Sequence, residues 1–544
     1  MSDAVSALPA APPPAAAVPA LPMPVWKILL YFASSVILFV TQGLGMNLAI
    51  ANLNQLQGTL AATSTEAAWL SAAYMAPAAS IAVLLVKVRT QYGLRNFAEV
   101  SIACFAVASV MNVFVSDLHS ALVVRFLSGA AAAPLSTLGF LYMLEIFEPA
   151  KKMTIGISLA LMNTTLSVPI SRLISPYLLD FGQWHGLYML ELALALIVFP
   201  IIYLLPLTPV PRAKVITVAD IGSYLLIAVA FGGLAVVLSL GRIYWWLEAP
   251  WLGWTLVLSI VCLTVAVSVE LRRDNPLIDI RWLLSHGMLH FTAVLLVFRL
   301  IASAQSSITV SLFQAFNLQY EQTMTLYWII LGASVIGGFA CAALLKHGWV
   351  SVIHVTALLM LAAGCFLDSS ITNLTRPEQL YVGQALQATG AALFLPPTMA
   401  AGFKAALAKG PNYLVSFFVI FLFTQSIGGL MGSAAYGTLV TLREKFHSNV
   451  LVEHAVLTDP LVAQRISQLS ATYGKVITDP VLLKGEGVSL FAQQIAREAN
   501  VLAYGDAFFA GGVLALLALA ALLIHLSFLR LRRLFAAPEP VSAS

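Results

Sequence analysis

Three arginines and one glutamate lie in stretches of sequence that are otherwise apolar or small and polar: Arg125, Arg172, Glu191 and Arg299. A guanidinium is charged at every physiological pH and can bind a carboxylate, sulfonate or phosphate through two N–H groups. A glutamate can bind and release a proton. At the centre of a bilayer such a charge costs at least about 2.5–3.5 kcal/mol, so each of the four must face a cavity or a partner.

The composition indicates that these stretches do lie in a membrane. Of the 544 residues, 60% are hydrophobic and 10% are charged, whereas about 25% are charged in a soluble domain. Apolar runs of about 20 residues, the length that crosses a bilayer as a helix, recur from Val25 almost to the carboxyl terminus. The runs are too long, and alternate too little, for a β-barrel. We therefore expect an all-α polytopic membrane protein.

No pattern in the sequence is typical of a metal, nucleotide or catalytic site. The four cysteines stand apart in apolar runs, without a Cys-x-x-Cys pair or a histidine cluster: Cys104, Cys262, Cys341 and Cys365. We expect no disulfide, no metal and no other cofactor. A phosphate-binding loop and a nucleophile–base pair are also absent from the sequence, so we expect neither an enzyme nor a nucleic-acid-binding protein.

Fourteen membrane spans are predicted from the apolar runs and the polar or Pro/Gly breaks between them. They cover about residues 26–52, 66–86, 97–115, 119–146, 153–179, 186–205, 219–241, 250–270, 287–316, 325–345, 349–368, 379–403, 412–440 and 506–529. An even number of spans places both termini on the same side of the membrane.

Basic residues set the predicted orientation. Most of the 28 Lys and Arg residues lie in alternate loops and in the two tails, whereas the short loops on the other side hold only Arg242 and Arg376. Cytoplasmic loops retain Lys and Arg. Both termini are therefore predicted to be cytoplasmic, in a multi-pass protein of the plasma or inner membrane.

The long segment 442–505 is predicted to lie outside the cytoplasm. It contains two helix-like stretches, "DPLVAQRISQLSATYG" and "GVSLFAQQIAREANVLAYG", which predict a partly helical cap. The segment could contact a periplasmic adaptor protein, or it could be a self-contained lid.

Six phrases carry a family resemblance that covers nearly the whole chain after residue 26. They are "MNLAIANL" in span 1, "WLSAAYM" in span 2, "RFLSGAAAAP" in span 4, "NPLIDIRWL" after span 8, "TQSIGGLMGSAAYGTLV" in span 13 and "REANVLAYGDAF" before span 14. Together they resemble the major facilitator superfamily, and specifically its fourteen-span drug:proton antiporter branch, the EmrB/QacA type.

The resemblance implies a major facilitator fold with two six-helix bundles and an inserted helix pair. A central cavity would hold the substrate near the midplane and open alternately to each side. The implied organisation is a disordered cytoplasmic tail (1–25), a first bundle (26–205), a linker with spans 7 and 8 (206–286), a second bundle (287–529) that includes the external loop 442–505, and a cytoplasmic tail (530–544).

The chain departs from this branch at three places. Gln42 stands where the membrane carboxylate of span 1 belongs. The loop after span 2 keeps Gly93 and Arg95, which the resemblance assigns to a cytoplasmic gate, but carries Thr90 in place of aspartate. The proline-rich phrase of span 5 contains Arg172. We therefore expect a divergent member.

Arg125, Arg172 and Glu191 are predicted to form a charge cluster, because the directions of spans 4, 5 and 6 place them at one depth in the outer half of the first bundle. The cluster could be a proton-coupling site, in which protonation of Glu191 removes the counter-charge and shifts the conformation. Alternatively, it could be an ion-pair network that lets three helices pack. Asp368, in contrast, is expected near the outer end of span 11, where water or helix-end charges satisfy it.

Arg299 is predicted near mid-depth in span 9, a helix that lines the central cavity in the resembled fold. It could bind a negatively charged part of the substrate, or it could form an internal salt bridge. Other polar side chains at plausible cavity depth, each of which could instead bond across helices for about 0.6 kcal/mol, include Gln42, Asn47, Gln305, Gln387 and Gln425.

The function that these features favour is secondary active export of small organic molecules of the drug or xenobiotic type, driven by proton entry. Arg299 and the missing carboxylate of span 1 favour organic anions or aromatic acids over lipophilic cations. The alternatives are a proton-independent anion exchanger or uniporter on the same fold and, with less support, a membrane receptor or enzyme.

Overall fold

The structure, a computed structural model, describes residues 23–208, 212–410 and 413–535 of the chain. Within these residues every regular element is a helix and none is a strand. Most of the predicted amino-terminal tail (1–25), part of the carboxyl-terminal tail (530–544) and residues 209–211 of the linker after span 6 lie outside the described residues.

Fourteen helices of the described chain are long and apolar enough to cross a membrane. Numbered as spans 1–14, they are Val25–Ala51, Ser64–Leu85, Leu94–Phe114, Leu118–Glu145, Lys152–Leu179, His185–Leu204, Val218–Leu240, Pro250–Arg272, His286–Ala315, Tyr320–Lys346, Val350–Ser369, Pro377–Lys409, Ser416–His454 and Pro480–Arg532. The predicted all-α fold with fourteen transmembrane helices is confirmed.

Local side chains decide where several spans begin. Asp117 and Ser120 cap each other's backbone N–H groups at the start of span 4, and Thr217 and Asp220 do the same at the start of span 7. Such a capping box satisfies N–H groups that have no partner in the first helical turn. The caps therefore fix the points at which these helices begin.

The spans form two bundles of six, joined by an inserted pair. In the first bundle, span 1 packs against span 4 and against the helix of spans 5 and 6; in the second, span 11 packs against spans 12 and 14. Span 5 packs on span 10 and span 2 on span 13 where the bundles meet, while span 7 packs on span 8, span 2 and span 13. The two bundles and the inserted pair agree with the predicted fold class.

Spans 5 and 6 lie in one continuous helical segment, Ile157–Leu204. The chain nevertheless reverses within it, since a Cβ added at Gly186 would collide with the carbonyl oxygen of Leu178, eight residues earlier. A straight helix would separate these residues by about 12 Å. A side chain at residue 186 would collide with that carbonyl, so this reversal requires glycine.

Spans 13 and 14 are much longer than a bilayer requires. The helix Tyr413–His454 has 42 residues and the helix Pro480–Phe535 has 56, which correspond to about 63 Å and 84 Å at 1.5 Å per residue, against a hydrocarbon core of about 30 Å. The short helix Pro460–Ala471 packs against the second of them. Together these parts form a helical extension, residues 442–505, beyond the distal face. We use "distal" for the face opposite the one where span 1 begins and span 14 ends, which we call the terminal face.

Candidate functional site

A cavity of about 780 Å³ lies between the two bundles, with further wall residues from span 7. Five of the six predicted substrate-contacting residues line it: Arg299, Gln42, Asn47, Gln305 and Gln425. The sixth, Gln387, is directed elsewhere, because its amide donates to the carboxylate of Asp368 at 2.7 Å. The cavity therefore brings together polar groups from spans 1, 9 and 13.

The guanidinium of Arg299 faces this cavity from span 9. Its Nε atom has no hydrogen-bond partner, and no ion pair within the described residues includes it. Gly428 and Gly429 of span 13 make room for it, since a Cβ at Gly429 would lie 2.6 Å from Nη2 of Arg299. Of the two predicted roles for Arg299, the internal salt bridge has no partner in the described part of the chain.

The wall of the cavity carries charge of one sign. Among the described residues that line it, five side chains are basic and none is acidic: Arg89, Lys152, Arg172, Arg242 and Arg299. A cluster of three or more His, Cys, Asp or Glu side chains that could hold a metal occurs nowhere in the described ranges. The described wall of the cavity therefore carries a net positive charge.

The predicted amides differ in how far their hydrogen bonds are satisfied. The Asn47 amide donates to the carbonyl oxygen of Gly43 at 2.8 Å and to Ser167 at 3.3 Å, and the Gln305 amide donates to the carbonyl oxygen of Gln384 at 2.9 Å. The Nε2 atom of Gln425 is buried without a partner. Because an unsatisfied buried amide is costly, Gln425 is the amide of this set most suited to donate to a ligand.

Aromatic rings give the second-bundle side of the cavity an apolar surface. Phe298 precedes Arg299 in span 9, lines the cavity, and stacks on Phe394 with ring centres 4.4 Å apart. Phe403 and Phe418 also line the cavity and meet edge to face at 5.9 Å. A cation beside packed rings suits a ligand with an anionic group and an apolar body.

Arg125 and Glu191 both lie beside Gly45 inside the first bundle, and both are completely buried. Nη1 of Arg125 donates to the carbonyl oxygen of Gly45 at 2.5 Å, and its guanidinium lies 4.3 Å from the centre of the Tyr74 ring. The Cα of Gly45 also faces the Glu191 carboxylate. Neither oxygen of Glu191 has a hydrogen-bond partner, and Arg125 acts on it electrostatically without a direct ion pair.

Arg172 lies apart from this pair, which corrects the prediction that all three charges form one cluster. It donates to the carbonyl oxygen of Ala51 at 3.2 Å and lines the cavity. The single O–H of Tyr320, from the second bundle, can donate to the same carbonyl at 3.1 Å or to the Oδ1 atom of Asn52 at 2.8 Å. Depth in the membrane was predicted from span direction, but the rotation of span 5 turns Arg172 toward the boundary between the bundles.

Asp368 is a buried carboxylate whose surroundings the sequence did not reveal. It lies near the distal end of span 11, as expected, yet it is 1% exposed rather than open to water. Its Oδ2 atom accepts hydrogen bonds from the amides of Gln384 and Gln387, at 2.8 and 2.7 Å. The pair of glutamines three residues apart on the next helix was the signal in the sequence that could have identified this partner.

Of the predicted gate residues, Gly93 lies in the turn between spans 2 and 3, on the terminal face, and Arg95 lies in the first turn of span 3. Gly93 has φ of 81°, in the region that favours glycine. Arg95 forms an exposed ion pair with Glu99 one turn later, at 2.9 Å. Exposed pairs of this kind contribute little stability, so the geometry of Gly93 is the stronger constraint on this turn.

The end of the helix before this turn, Trp69–Tyr92, holds the linker that leads to the inserted pair. The side-chain oxygen of Gln91 accepts hydrogen bonds from the backbone N–H groups of residues 215 and 216, at 3.2 and 2.8 Å. Beside it, the buried carboxylate of Asp220 pairs with Lys87 at 2.9 Å and with Arg273 at 2.7 Å. Spans 2, 7 and 8 are therefore fastened together on the terminal face.

Comparison with known proteins places this geometry in context. A family model described as Major Facilitator Superfamily matches residues 33–433. Multidrug export protein EmrB of Haemophilus influenzae is 24% identical over 510 residues, which cover 90% of this chain and 94% of that protein. Fatty acid resistance protein FarB of Neisseria gonorrhoeae is 22% identical over 479 residues, which cover 84% and 88%.

A solved structure shares the fold. The crystal structure of the human organic anion transporter MFSD10 (TETRAN) superimposes with a TM-score of 0.53 at 12% identity, and the match covers 91% of this chain and all of that one (100%). At this identity the likeness concerns the arrangement of the helices.

Proposed function

The chain belongs to the major facilitator superfamily of membrane transporters, and we propose that it exports amphipathic organic anions from the cytoplasm in exchange for protons. The observation that carries the substrate class is the charge of the cavity wall. Five basic side chains and no acidic one line it among the described residues. A lipophilic cation would find no counter-charge on this wall, whereas an anion would find several.

Arg299 is the side chain that we expect to contact the anionic group. It reaches the cavity from span 9 without an ion-pair partner, and its planar guanidinium can bind a carboxylate or sulfonate through two N–H groups. The neighbouring Phe298 and its stack on Phe394 would receive the apolar body of the substrate. Gln425, with a free amide Nε2, would add a hydrogen bond.

The relatives support export of such compounds. One is named a multidrug export protein and another a fatty acid resistance protein. A fatty acid is an anion with an apolar body, which is the chemistry that the cavity favours.

Proton coupling is assigned to Glu191, with Arg125 as the cation that responds to it. A carboxylate buried without a hydrogen-bond donor is costly while it is charged, and protonation removes that charge. Arg125 joins spans 1 and 2 through the backbone of Gly45 and Leu70. A change in the charge of Glu191 therefore acts on the residue that links these helices.

The test of the substrate class uses inside-out membrane vesicles with an acidic interior. Accumulation of a panel of aromatic acids and of lipophilic cations is followed for the native chain, for Arg299→Gln, and for Arg376→Gln as a control, since Arg376 is exposed and outside the cavity. We expect acids to accumulate in vesicles with the native chain and with the control variant, and we expect this accumulation to be lost in Arg299→Gln. Accumulation of cations that is indifferent to Arg299 would refute the proposal.

A proton-independent anion exchanger on the same fold is the second candidate, favoured by Gln42, which lines the cavity where the resembled branch has a carboxylate. Vesicles preloaded with an acid and held without a gradient distinguish the two. Uptake that depends on the preloaded acid and ignores the gradient would indicate exchange.

We also propose that the protein lies in the plasma or inner membrane with both termini in the cytoplasm. The helical extension 442–505 would then be external. It is available there either to a periplasmic adaptor protein or to act as a lid over the distal face.

A further inference from the structure

Asp368 is the most enclosed acidic group of the second bundle that has no assigned role. It sits one residue before the end of span 11, which packs against spans 12 and 14. Gly383 of span 12 lies directly against the carboxylate, and a Cβ at this position would collide with it. The close approach of the two helices therefore seals Asp368 from water at 1% exposure.

No cation within the described residues pairs with this carboxylate, because every ion pair found there involves other acidic groups. Within the described residues, its charge acts on Cys365 of its own helix, and Cys365 in turn acts on Tyr436 of span 13. On span 14, Gly505 lies against the neighbouring Ser369, and the carboxylate of Asp506 is occupied by Arg443 and His447, at 2.6 Å each. The two donors that reach Asp368 are the neutral amides of Gln384 and Gln387.

The hydrogen bonds around Asp368 continue to the substrate cavity. Gln384 lines the cavity, and its backbone carbonyl accepts the amide of Gln305, which also lines it. The Oε1 atom of Gln384 is buried without a partner. A neutral Asp368 carboxyl group would supply the O–H donor that this oxygen lacks once the amide rotates, whereas the charged carboxylate takes the amide N–H.

From this arrangement we propose that Asp368 is a second proton-binding site, which loads protons near the distal face and reports its charge to the cavity through Gln384. The inference rests on the proposed function, because it assigns one of the protons exchanged for substrate. Binding the proton leaves a neutral acid with one donor and one acceptor; releasing it leaves a carboxylate held by two amides. Between the two states the amide of Gln384 rotates: its N–H group donates to the charged carboxylate, and its Oε1 atom accepts from the neutral acid.

The direct test measures protonation itself. Infrared difference spectra between acidic and alkaline buffer are recorded on the purified protein in liposomes, for the native chain, Asp368→Asn, Glu191→Gln and the control Ser369→Ala. The carbonyl oxygen of asparagine can still accept both glutamine amides, so Asp368→Asn should fold. We expect it to remove one protonated-carboxyl band that Glu191→Gln and Ser369→Ala retain. A spectrum identical to that of the native chain would overturn the inference.

A transport measurement separates this inference from the proposed function. Accumulation of naphthoate in inside-out vesicles with an acidic interior should fall to the level without a gradient in Asp368→Asn and stay native in Ser369→Ala. If Asp368→Asn accumulates naphthoate like the native chain, the second site is refuted while proton-coupled export stands. If native vesicles ignore the gradient, the proposed function fails, and the infrared band still decides whether Asp368 binds a proton.

Discussion

At the scale of single residues, Arg299 depends on glycines as much as on its own chemistry. Gly428 and Gly429 lie against its side chain, and Gly432, one turn further along span 13, lies against Ser303. Small residues at such spacing let two helices approach closely. In this protein the same spacing also leaves the guanidinium its place at the cavity wall.

Two alanine substitutions in span 13 should separate binding from packing. Gly429→Ala places a Cβ 2.6 Å from Nη2 of Arg299, which can be displaced because it ends a flexible side chain. We expect anion binding to weaken by about tenfold, or about 1.4 kcal/mol, with little change in thermal stability. Gly432→Ala places a Cβ 2.5 Å from the Cβ of Ser303, and overpacking there should cost about 1–3 kcal/mol of stability.

Thermal unfolding in detergent and equilibrium binding of an aromatic acid measure the two effects. The opposite pattern, with Gly429→Ala unstable and Gly432→Ala weak in binding, would contradict the placement of Arg299 against span 13.

Glu191→Gln tests the first coupling site. Glutamine has nearly the same shape and is always neutral, so it mimics the protonated acid beside Arg125. We expect gradient-driven accumulation to be lost while substrate binding remains. Vesicle transport and a binding assay on the same preparation give both values, and undiminished gradient-driven transport would exclude Glu191 as the coupling residue.

The sequence predicts how deep the polar and charged residues lie in the membrane better than it predicts which neighbour each side chain faces. Arg299 reaches the cavity as expected, because span 9 was correctly identified and the cavity lies between the bundles. Arg172 and Gln387 were placed at plausible depths, but their side chains face partners that depend on how each helix is rotated. Asp368 shows a second limit, since its burial depends on how closely span 12 approaches, which a hydropathy pattern does not contain.

At the scale of elements, span 9 changes its winding beside the cavity. Its α-helix ends at Ser303 and continues as a π-helix over Ala304–Ile308, which includes Gln305. A π-helical turn displaces the residues that follow it around the axis. It therefore sets the angle between Arg299 and Gln305 on the cavity wall. The sequence of this stretch, "ASAQSSITV", contains no pattern that predicts a π-helix.

The fastening of spans 2, 7 and 8 can be tested at Asp220. Asp220→Asn removes the carboxylate that Lys87 and Arg273 share, so Lys87 loses its partner while Arg273 keeps only Glu270, at 2.8 Å. Breaking a fully buried pair costs about 3–5 kcal/mol; because the two cations keep 13% and 16% exposure, we expect about 2–3 kcal/mol.

Lys87→Met is the matched variant for this network, because Asp220 then retains its pair with Arg273. We expect this variant to lose only about 1 kcal/mol of stability. Both are measured by thermal unfolding in detergent. Equal stability of the two variants would show that Asp220 does not join the three spans.

At the scale of the whole molecule, the arrangement of the bundles makes an orientation testable. Lys475 lies exposed in the helical extension, and Lys346 lies exposed at the last residue of span 10, on the terminal face. In a background without the native cysteines, Lys475→Cys should react with a membrane-impermeant maleimide in intact cells, and Lys346→Cys should react only after permeabilisation. The reverse labelling would contradict cytoplasmic termini.

The same Lys475→Cys variant, carrying a photocrosslinker, tests the adaptor. Crosslinking is carried out with and without an excess of protein that carries no crosslinker. A partner is specific only if this excess reduces its capture. Specific capture of a partner supports the adaptor, and crosslinks confined to this chain support a lid.

Span 7 is the feature of the fold with the widest consequence for how substrate arrives. It packs against both span 2 and span 13, and its last residues, including Ser239, form part of the cavity wall. It thus covers one of the two seams between the bundles. On this flank, a compound dissolved in the lipid leaflet would have to pass span 7 before it reached the cavity.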